Sequence, residues 1–149
     1  MFFEFGPAKA QHREPIGHGS GRPTILVVED EALLALELEQ VLTEAGYAVV
    51  LAADGRGALA RAAEPGGRLR AAVVDLHLPG GMAGHEVIRH LRGRNPGLPV
   101  VVVTGYEPLA GQADLRGLGG PTARLQKPCE PERLLQRLRD VITSSTGAA

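Results

Sequence analysis

The chain has 149 residues and a net charge of −1, so its charge balance gives no sign of a nucleic-acid or membrane surface. Apolar residues make up 44% and charged residues 22%, which is typical of a globular domain with its own core. The single cysteine, Cys129, excludes an intrachain disulfide, and no apolar run approaches the roughly 18 residues of a membrane span. We therefore expect one domain in the cytoplasm.

Residues 1–23 are predicted to be a flexible lead, because Gly, Pro and polar residues dominate 6–23 without any periodicity. Short apolar runs then predict five buried strands. They are TILVV (24–28), YAVVLA (47–52), AAVVDL (71–76), PVVVVTG (99–105) and TARLQ (122–126). A domain over 24–143 would end in a frayed tail, 144–149.

Helical patterns follow each of these strands. They cover 32–45, the segment from Asp54 to about residue 64, 85–93, 108–120 and 131–142. Gly46 is the expected stop of the first helix and Asp54 the expected N-cap of the second, while four glycines make the helix over 108–120 weak. Alternation of strands and helices predicts an α/β fold with a parallel sheet covered on both faces, and the flavodoxin-like (βα)5 order 2-1-3-4-5 is a common solution.

Polar side chains stand at the ends of four predicted strands. Glu29 and Asp30 follow the first, Asp75 lies near the end of the third, Thr104 ends the fourth, and Lys127 follows the fifth. Alone, each has an ordinary interpretation as a helix cap, turn residue, strand residue or solvated charge. In such sheets, however, the functional crevice lies beyond the carboxyl ends of the strands. We therefore expect these five residues to converge on one site.

The chemistry of this set points to phosphoryl transfer. Adjacent carboxylates repel one another, and a shared cation relieves that repulsion. Oxygen ligands at few positions suit Mg²⁺. A carboxylate can also act as a nucleophile and form an aspartyl-phosphate, with a lysine, a hydroxyl and a metal around the phosphoryl oxygens. The predicted strand edge supplies each of these groups.

Four motifs resemble the receiver domain of two-component response regulators over roughly residues 24–143. They are VVEDE (27–31), VVDLHLPGG (73–81), VVVTGY (101–106) and LQKP (125–128). The separations from Asp30 to Asp75, Thr104 and Lys127 are 45, then 29, then 23 residues, in line with that family. Each motif alone is weak, but the set is highly specific.

The resemblance implies that Asp75 is the phosphoacceptor. It further implies that Asp30 and Asp75 hold Mg²⁺, with Glu29 acting directly or through water and the His77 backbone carbonyl as another ligand. An acceptor of this kind takes its phosphoryl group from a histidine kinase or a histidine phosphotransferase.

The resemblance also assigns roles to the other two strand ends. Lys127 would pair with the phosphoryl group, Thr104 would rotate inward to bond it, and the peptide bond from Lys127 to Pro128 would be cis. The lysine count agrees with this assignment. The chain has fourteen arginines but only Lys9 and Lys127, so its one domain lysine stands where a compact ammonium is wanted.

The sequence departs from the family pattern in three places. Arg124 occupies the position of the usual switch aromatic, whereas Tyr106 follows Thr104 by two, as in a stand-alone subgroup marked by Pro-Phe-x-Phe-Ala-Thr-Gly-Tyr. Tyr106 and Arg124 are therefore the candidate reporters of phosphorylation. The loop LPGGMAGHE (78–86) carries one glycine more than usual. Cys129 stands where an aromatic often follows the proline, and an inert small hydrophobe is its favoured interpretation.

These features predict a stand-alone receiver without an output module, because the chain ends soon after its last helix. Such a receiver would act on an unknown downstream protein, pass phosphate along a relay or drain it, without nucleic acid or membrane as partner, and a homodimer is possible. One alternative is a phosphorylation-independent adaptor, which Arg124 and the glycine-rich helix mildly favour. A small phosphohydrolase is a third interpretation, although His77 stands where such enzymes often carry an acid–base carboxylate.

Overall fold

The computed structural model describes residues 21–64, 68–105, 115 and 117–147. The strands are β1 (Thr24–Val28), β2 (Ala48–Ala52), β3 (Leu69–Asp75), β4 (Val100–Thr104) and β5 (Thr122–Gln126). The helices are α1 (Ala32–Glu44), α2 (Gly55–Ala62), α3 (Gly84–Arg94) and α4 (Pro131–Gly147). No helix in these described segments is both long enough and apolar enough to span a bilayer.

All five strands run parallel in the order β2-β1-β3-β4-β5, which confirms the predicted flavodoxin-like topology. The middle strands β1 and β4 are buried along their whole length, as their unbroken apolar sequences predict. Because the strands are parallel, every carboxyl end lies at the same edge of the sheet. The polar residues that follow these strands are thereby brought to one place.

Alternate residues of β1 face opposite sides of the sheet and enter two separate hydrophobic cores. Leu26 and Val28 pack in one core with side chains from α2 and α3. Ile25 and Val27 pack in the other with side chains from α1 and α4. Helices therefore cover both faces of the sheet, and the carboxyl edge remains the side where polar groups gather.

Two local signals read from the sequence are confirmed. Asp54 is the N-cap of α2, and its Oδ1 accepts a hydrogen bond of 2.7 Å from the Gly57 backbone N–H. Gly46, just beyond α1, has a φ of 102°, a left-handed conformation that glycine adopts without steric penalty. Both signals act within one turn of a helix end, so they do not depend on the rest of the fold.

The predicted start of β3 and the predicted end of the last helix are wrong. β3 begins at Leu69 rather than Ala71, because Leu69 pairs with Thr24 across a shift in register that no local pattern reveals. The last helix continues to Gly147 and so includes four residues of the predicted tail. Once a helix is established, each further residue gains a backbone hydrogen bond, so modest propensity in 144–147 does not stop it.

The prediction of a helix over 108–120 is wrong at its end, and residues 106–114 and 116 lie outside the described residues. Residues 117–120 are not helical. Gly117, Gly119 and Gly120 have φ values of 84°, 73° and 68°, which a right-handed helix excludes. The glycines that weaken the helix pattern here form a turn into β5 instead.

A buried cation holds that turn in place. Arg92 of α3 is only 8% exposed, and burial lowers the pKa of its guanidinium. The guanidinium donates to the carbonyl of Leu98 at 2.8 and 3.0 Å and to that of Pro121 at 2.7 Å. It also donates to the carbonyls of Leu118 and Gly119. Arg92 thus connects α3 to the loops that precede β4 and β5.

Candidate functional site

The carboxyl ends of β1 and β3 bring three carboxylates together. Val28 pairs with Val74 in the sheet, so Glu29 and Asp75, the next residue of each strand path, emerge side by side. Asp30 follows at once. One oxygen from each of Glu29, Asp30 and Asp75 lies within 4.8 Å of the other two. The predicted convergence of the acid pair with a carboxylate 45 residues later is therefore present in the structure.

Two of these carboxylates are almost completely buried. Glu29 is 3% exposed and Asp75 is 4% exposed, whereas Asp30 is exposed. Burial weakens the solvation of a charged carboxylate, and the neighbouring like charge adds repulsion. Such a pair needs a cation nearby, and Lys127 supplies it.

Lys127 contacts both buried carboxylates. Its Nζ lies 2.9 Å from Asp75 Oδ2 and 3.2 Å from Glu29 Oε1, and its side chain is 24% exposed. Desolvation by itself lowers the pKa of Lys127, but hydrogen bonds and attraction from Asp75 and Glu29 outweigh it and raise the pKa above 10.5. The ammonium is therefore charged at neutral pH.

Glu29 responds differently to the same surroundings. Burial raises its pKa above 4.5, and the charge of Asp75 adds to that rise. The hydrogen bond that Glu29 Oε2 accepts from the Glu31 N–H, at 3.1 Å, and the charge of Lys127 oppose the rise without cancelling it. Ionisation of Glu29 is therefore less favourable than in water, and a bound cation would offset this cost.

Backbone groups fix the positions of Asp75 and Lys127. The His77 N–H donates to Asp75 Oδ1 at 3.0 Å, so both oxygens of this carboxylate have a donor. The Lys127 N–H donates to the Thr104 carbonyl at 2.8 Å, and the peptide bond from Lys127 to Pro128 is cis, as the resemblance implies. The lysine therefore enters the cleft from a backbone tied to the end of β4.

Gly84 is a residue of this site that the sequence reasoning missed. It lies at the first position of α3, and its N–H donates to the Leu76 carbonyl at 3.0 Å. A Cβ at this position would overlap the Asp75 carbonyl oxygen and lie 2.6 Å from Leu76 Cα. Only glycine lets α3 approach the end of β3 this closely. Gly84 is the last glycine of LPGGMAGHE, but its place in that motif does not reveal the contact with the end of β3.

The remaining predicted site residues are placed unequally. Thr104 is completely buried at the end of β4, on the same edge of the sheet. Arg124 lies on β5, opposite Val102 of β4, and is partly exposed. The His77 side chain is exposed. Tyr106 lies outside the described residues.

An open cleft of about 390 Å³ gives access to this group of charges. It is lined by Asp30, Glu31, Asp75, His77, Gly105 and Lys127. The carboxylate trio offers only oxygen ligands, the donor type that Mg²⁺ prefers, and the cleft leaves room for the waters that this ion keeps. The residues present therefore fit a magnesium ion next to the Asp75 carboxylate.

Comparison with known proteins identifies matches for most of the chain. The family model described as the response regulator receiver domain matches residues 25–139. The probable transcriptional regulatory protein TcrX of Mycobacterium tuberculosis is 36% identical over 124 residues, which cover 82% of this chain and 51% of TcrX. The two-component response regulator PhoP of Pseudomonas aeruginosa is 38% identical, covering 83% of this chain and 53% of PhoP. The chain spans about half the length of these relatives.

Solved structures show the same architecture. A CheY-like response regulator receiver domain protein from Methanospirillum hungatei has a TM-score of 0.76 and 26% identity, with coverage of 87% of this chain and 100% of that one. The receiver domain of the sensor histidine kinase PA1611 from Pseudomonas aeruginosa has a TM-score of 0.70 and 28% identity, covering 82% and 98%. That structure holds a magnesium ion coordinated in its active-site cleft.

Proposed function

The chain belongs to the response regulator receiver domain family, and on that premise we propose that it accepts a phosphoryl group on Asp75 from a histidine kinase or histidine phosphotransferase. One observation carries the proposal. The Asp75 carboxylate is buried, holds a donor on each oxygen, and lies within 4.8 Å of two further carboxylates. Members of this family are signalling phosphoacceptors and not enzymes that act on a separate substrate.

In the proposed transfer, an oxygen of Asp75 attacks the phosphorus atom of a phosphohistidine. The new P–O bond forms as the P–N bond breaks, and the histidine nitrogen keeps the electron pair. Lys127 lies 2.9 Å from Asp75 Oδ2, so a short movement would carry its ammonium onto a phosphoryl oxygen. The charge that it leaves on Asp75 disappears when that carboxylate becomes an acyl phosphate. The reaction thereby exchanges one anionic partner of Lys127 for another.

Magnesium fits the same scheme. We propose that Asp30, Asp75 and Glu29 hold the ion, with the His77 backbone carbonyl as a further ligand. When bound, Mg²⁺ would supply positive charge to the phosphoryl oxygens. The raised pKa of Glu29 supports this assignment, because a buried carboxylate that resists ionisation gains from a nearby cation.

Thr104 is the proposed sensor of the modification. Thr104 is completely buried, and its backbone carbonyl accepts a hydrogen bond from the Lys127 N–H. By the family resemblance, its hydroxyl would rotate inward to bond the phosphoryl group. Tyr106 and Arg124 are the proposed reporters that transmit this change to the surface. Arg124 supports the idea because its strand is joined to β4 by a continuous ladder from Val100 to Thr104.

The output of the phosphorylated chain is a proposal of the same kind. We expect it to act in the cytoplasm by binding a downstream protein, passing phosphate along a relay or draining it. The curated relatives named above are described as transcriptional or response regulators about twice as long. A homodimer is compatible with this function. A phosphorylation-independent adaptor is the competing proposal. It predicts that modification of Asp75 leaves the conformation of the chain unchanged.

A direct experiment separates these proposals. Amide NMR spectra of the wild type are recorded with Mg²⁺ before and after beryllofluoride, which imitates the aspartyl-phosphate, and acetyl phosphate is used to add a phosphoryl group detected by intact mass. We expect widespread shifts and one added phosphoryl group. Asp75→Asn should abolish both, whereas Asp54→Asn, which keeps the helix cap, should retain both. A wild type that shows neither would favour the adaptor.

A further inference from the structure

A second cleft lies at the opposite edge of the sheet from Asp75. Its volume is about 480 Å³, and it lies between the start of β3, the end of α3 and the loop that leads into β4. Three arginines line it, namely Arg68, Arg70 and Arg94. No carboxylate occurs among its lining residues in the described segments. We call this cleft, with its three arginines and the apolar residues that line it, the basic cleft.

The three guanidinium groups of the basic cleft are exposed. Within the described residues, none of them makes a hydrogen bond or an ion pair. Arg92, two residues before Arg94, differs from these three arginines, because its guanidinium donates to the carbonyls of Leu98 and Pro121. Arg94 lies in the last turn of α3, where a cation often binds the terminal carbonyls, yet it does not. Its donors are therefore available to a ligand.

The floor of the basic cleft is apolar. Leu91 and Leu98 are 2% and 1% exposed and belong to the hydrophobic core, and Pro99 is also buried. Leu69 and Pro96 extend this surface toward the rim. A fully hydrated inorganic anion would gain nothing from such a floor. A molecule with a flat apolar body and one anionic end would contact both the floor and the arginines.

We propose that the basic cleft binds a nucleoside phosphate, with the base on the apolar floor and the phosphate on Arg68, Arg70 and Arg94. Guanidinium groups match phosphate oxygens with paired hydrogen bonds and also stack on planar rings. The volume lies within the roughly 300–1,000 Å³ range of small-molecule sites. A ligand there would contact residues at the amino ends of β3 and β4, the two strands that carry Asp75 and Thr104 at their other ends.

The test is an NMR titration of the full chain without Mg²⁺, so that phosphate does not gather at the carboxylate site. The probes are ADP and GDP, with adenosine and inorganic pyrophosphate as the matched fragments. We expect saturable shifts at Leu69, Leu91 and Leu98, and none at Glu29 or Asp75. Each fragment should bind at least about tenfold more weakly than the whole nucleotide, because it makes only one of the two contacts.

Arg94 and Arg89 both lie on α3 and provide a matched pair of variants. Arg94→Gln should weaken binding roughly tenfold, as expected for a lost charged hydrogen bond, and Arg70→Gln should act similarly. Arg89→Gln, on α3 outside the cleft, should leave the affinity unchanged. Equal affinities of Arg94→Gln and Arg89→Gln, or shifts confined to the Asp75 edge, would overturn the proposal, as would pyrophosphate that binds as tightly as ADP. None of these outcomes bears on phosphorylation at Asp75.

Discussion

The ammonium nitrogen of Lys127 lies 2.9 Å from Asp75 Oδ2, although 52 residues separate the two along the chain. The contact forms because β3 and β5 end at the same edge of a parallel sheet, with β4 between them. It places a positive charge against a carboxylate that is almost completely buried. The same contact places the proposed nucleophile and its charge partner within one hydrogen bond.

Replacement of Lys127 should slow phosphorylation far more than it changes the fold. Lys127→Met removes the one cation that contacts both buried carboxylates among the described residues, and we expect phosphorylation by acetyl phosphate to slow roughly a hundredfold. Lys127→Arg should retain part of the rate. Arg133→Met, which removes an exposed cation from α4, is the control and should react like the wild type. A Lys127→Met protein with normal kinetics would contradict the role of this lysine.

The raised pKa of Glu29 predicts a specific dependence of stability on pH. Between its unfolded value near 4.5 and its higher folded value, the folded state binds more protons than the unfolded state. Stability should therefore fall as the pH rises through this interval in the presence of EDTA. Urea unfolding of wild type and Glu29→Gln across this range measures the effect. As the pH rises, the free energy of unfolding of the wild type should fall relative to that of Glu29→Gln. An opposite slope would show that the pKa of Glu29 is lowered.

The raised pKa of Lys127 predicts how stability changes with pH in the alkaline range. Its pKa is raised above 10.5 by the two carboxylates, so its contribution to stability is complete below that value. The contribution should be lost as the pH rises through the folded pKa. Lys127→Met should therefore show a flatter stability curve in the alkaline range than the wild type, as measured by urea unfolding.

Two glycines of α3 should respond in opposite ways to alanine. At Gly84 the added Cβ would overlap the Asp75 backbone, so Gly84→Ala should lower the free energy of unfolding by roughly 1–3 kcal/mol. At Gly93 the Cβ would meet nothing within 4 Å, so Gly93→Ala should raise stability by up to about 1 kcal/mol. Urea denaturation measures both. Gly84→Ala should also slow phosphorylation, since Asp75 must shift, whereas Gly93→Ala should not.

Arg92 should stabilise the fold, and its replacement should make the loop that precedes β5 less stable. Arg92→Met leaves the carbonyls of Leu98 and Pro121 without their donor, and we expect destabilisation of roughly 2–4 kcal/mol. Arg89→Met, an exposed change on the same helix, should stay within about 0.5 kcal/mol of the wild type. Hydrogen exchange should accelerate at Leu118 and along β5 in Arg92→Met alone. Uniform acceleration over the whole sheet would argue against a local role.

Loss of the Thr104 hydroxyl should uncouple phosphorylation from the response of the fold. Thr104→Val keeps the shape of a buried strand residue, so the protein should still fold and accept a phosphoryl group. The beryllofluoride shifts along β4 and β5 should shrink, and Thr104→Ser should restore them. Identical shift patterns in wild type and Thr104→Val would exclude this hydroxyl as the sensor.

The sequence by itself determined the alternation of strands and helices and the convergence of polar residues at one edge of a parallel sheet. Short, β-branched apolar runs such as that of β4 favour buried strands. In a parallel sheet the residues that follow such strands, here Asp30, Asp75 and Lys127, lie at one edge. The cap at Asp54 and the stop at Gly46 also follow from the sequence, because each acts through neighbouring backbone groups.

Only the tertiary structure decided the contacts between segments that are distant along the chain. The start of β3 depends on its register with Thr24, and the turn over 117–120 depends on glycine conformations together with the Arg92 guanidinium. The need for glycine at position 84 arises from the backbone of Asp75. The grouping of Arg68, Arg70 and Arg94 likewise exists only after folding. Each of these features depends on distances across the fold, which local sequence patterns do not encode.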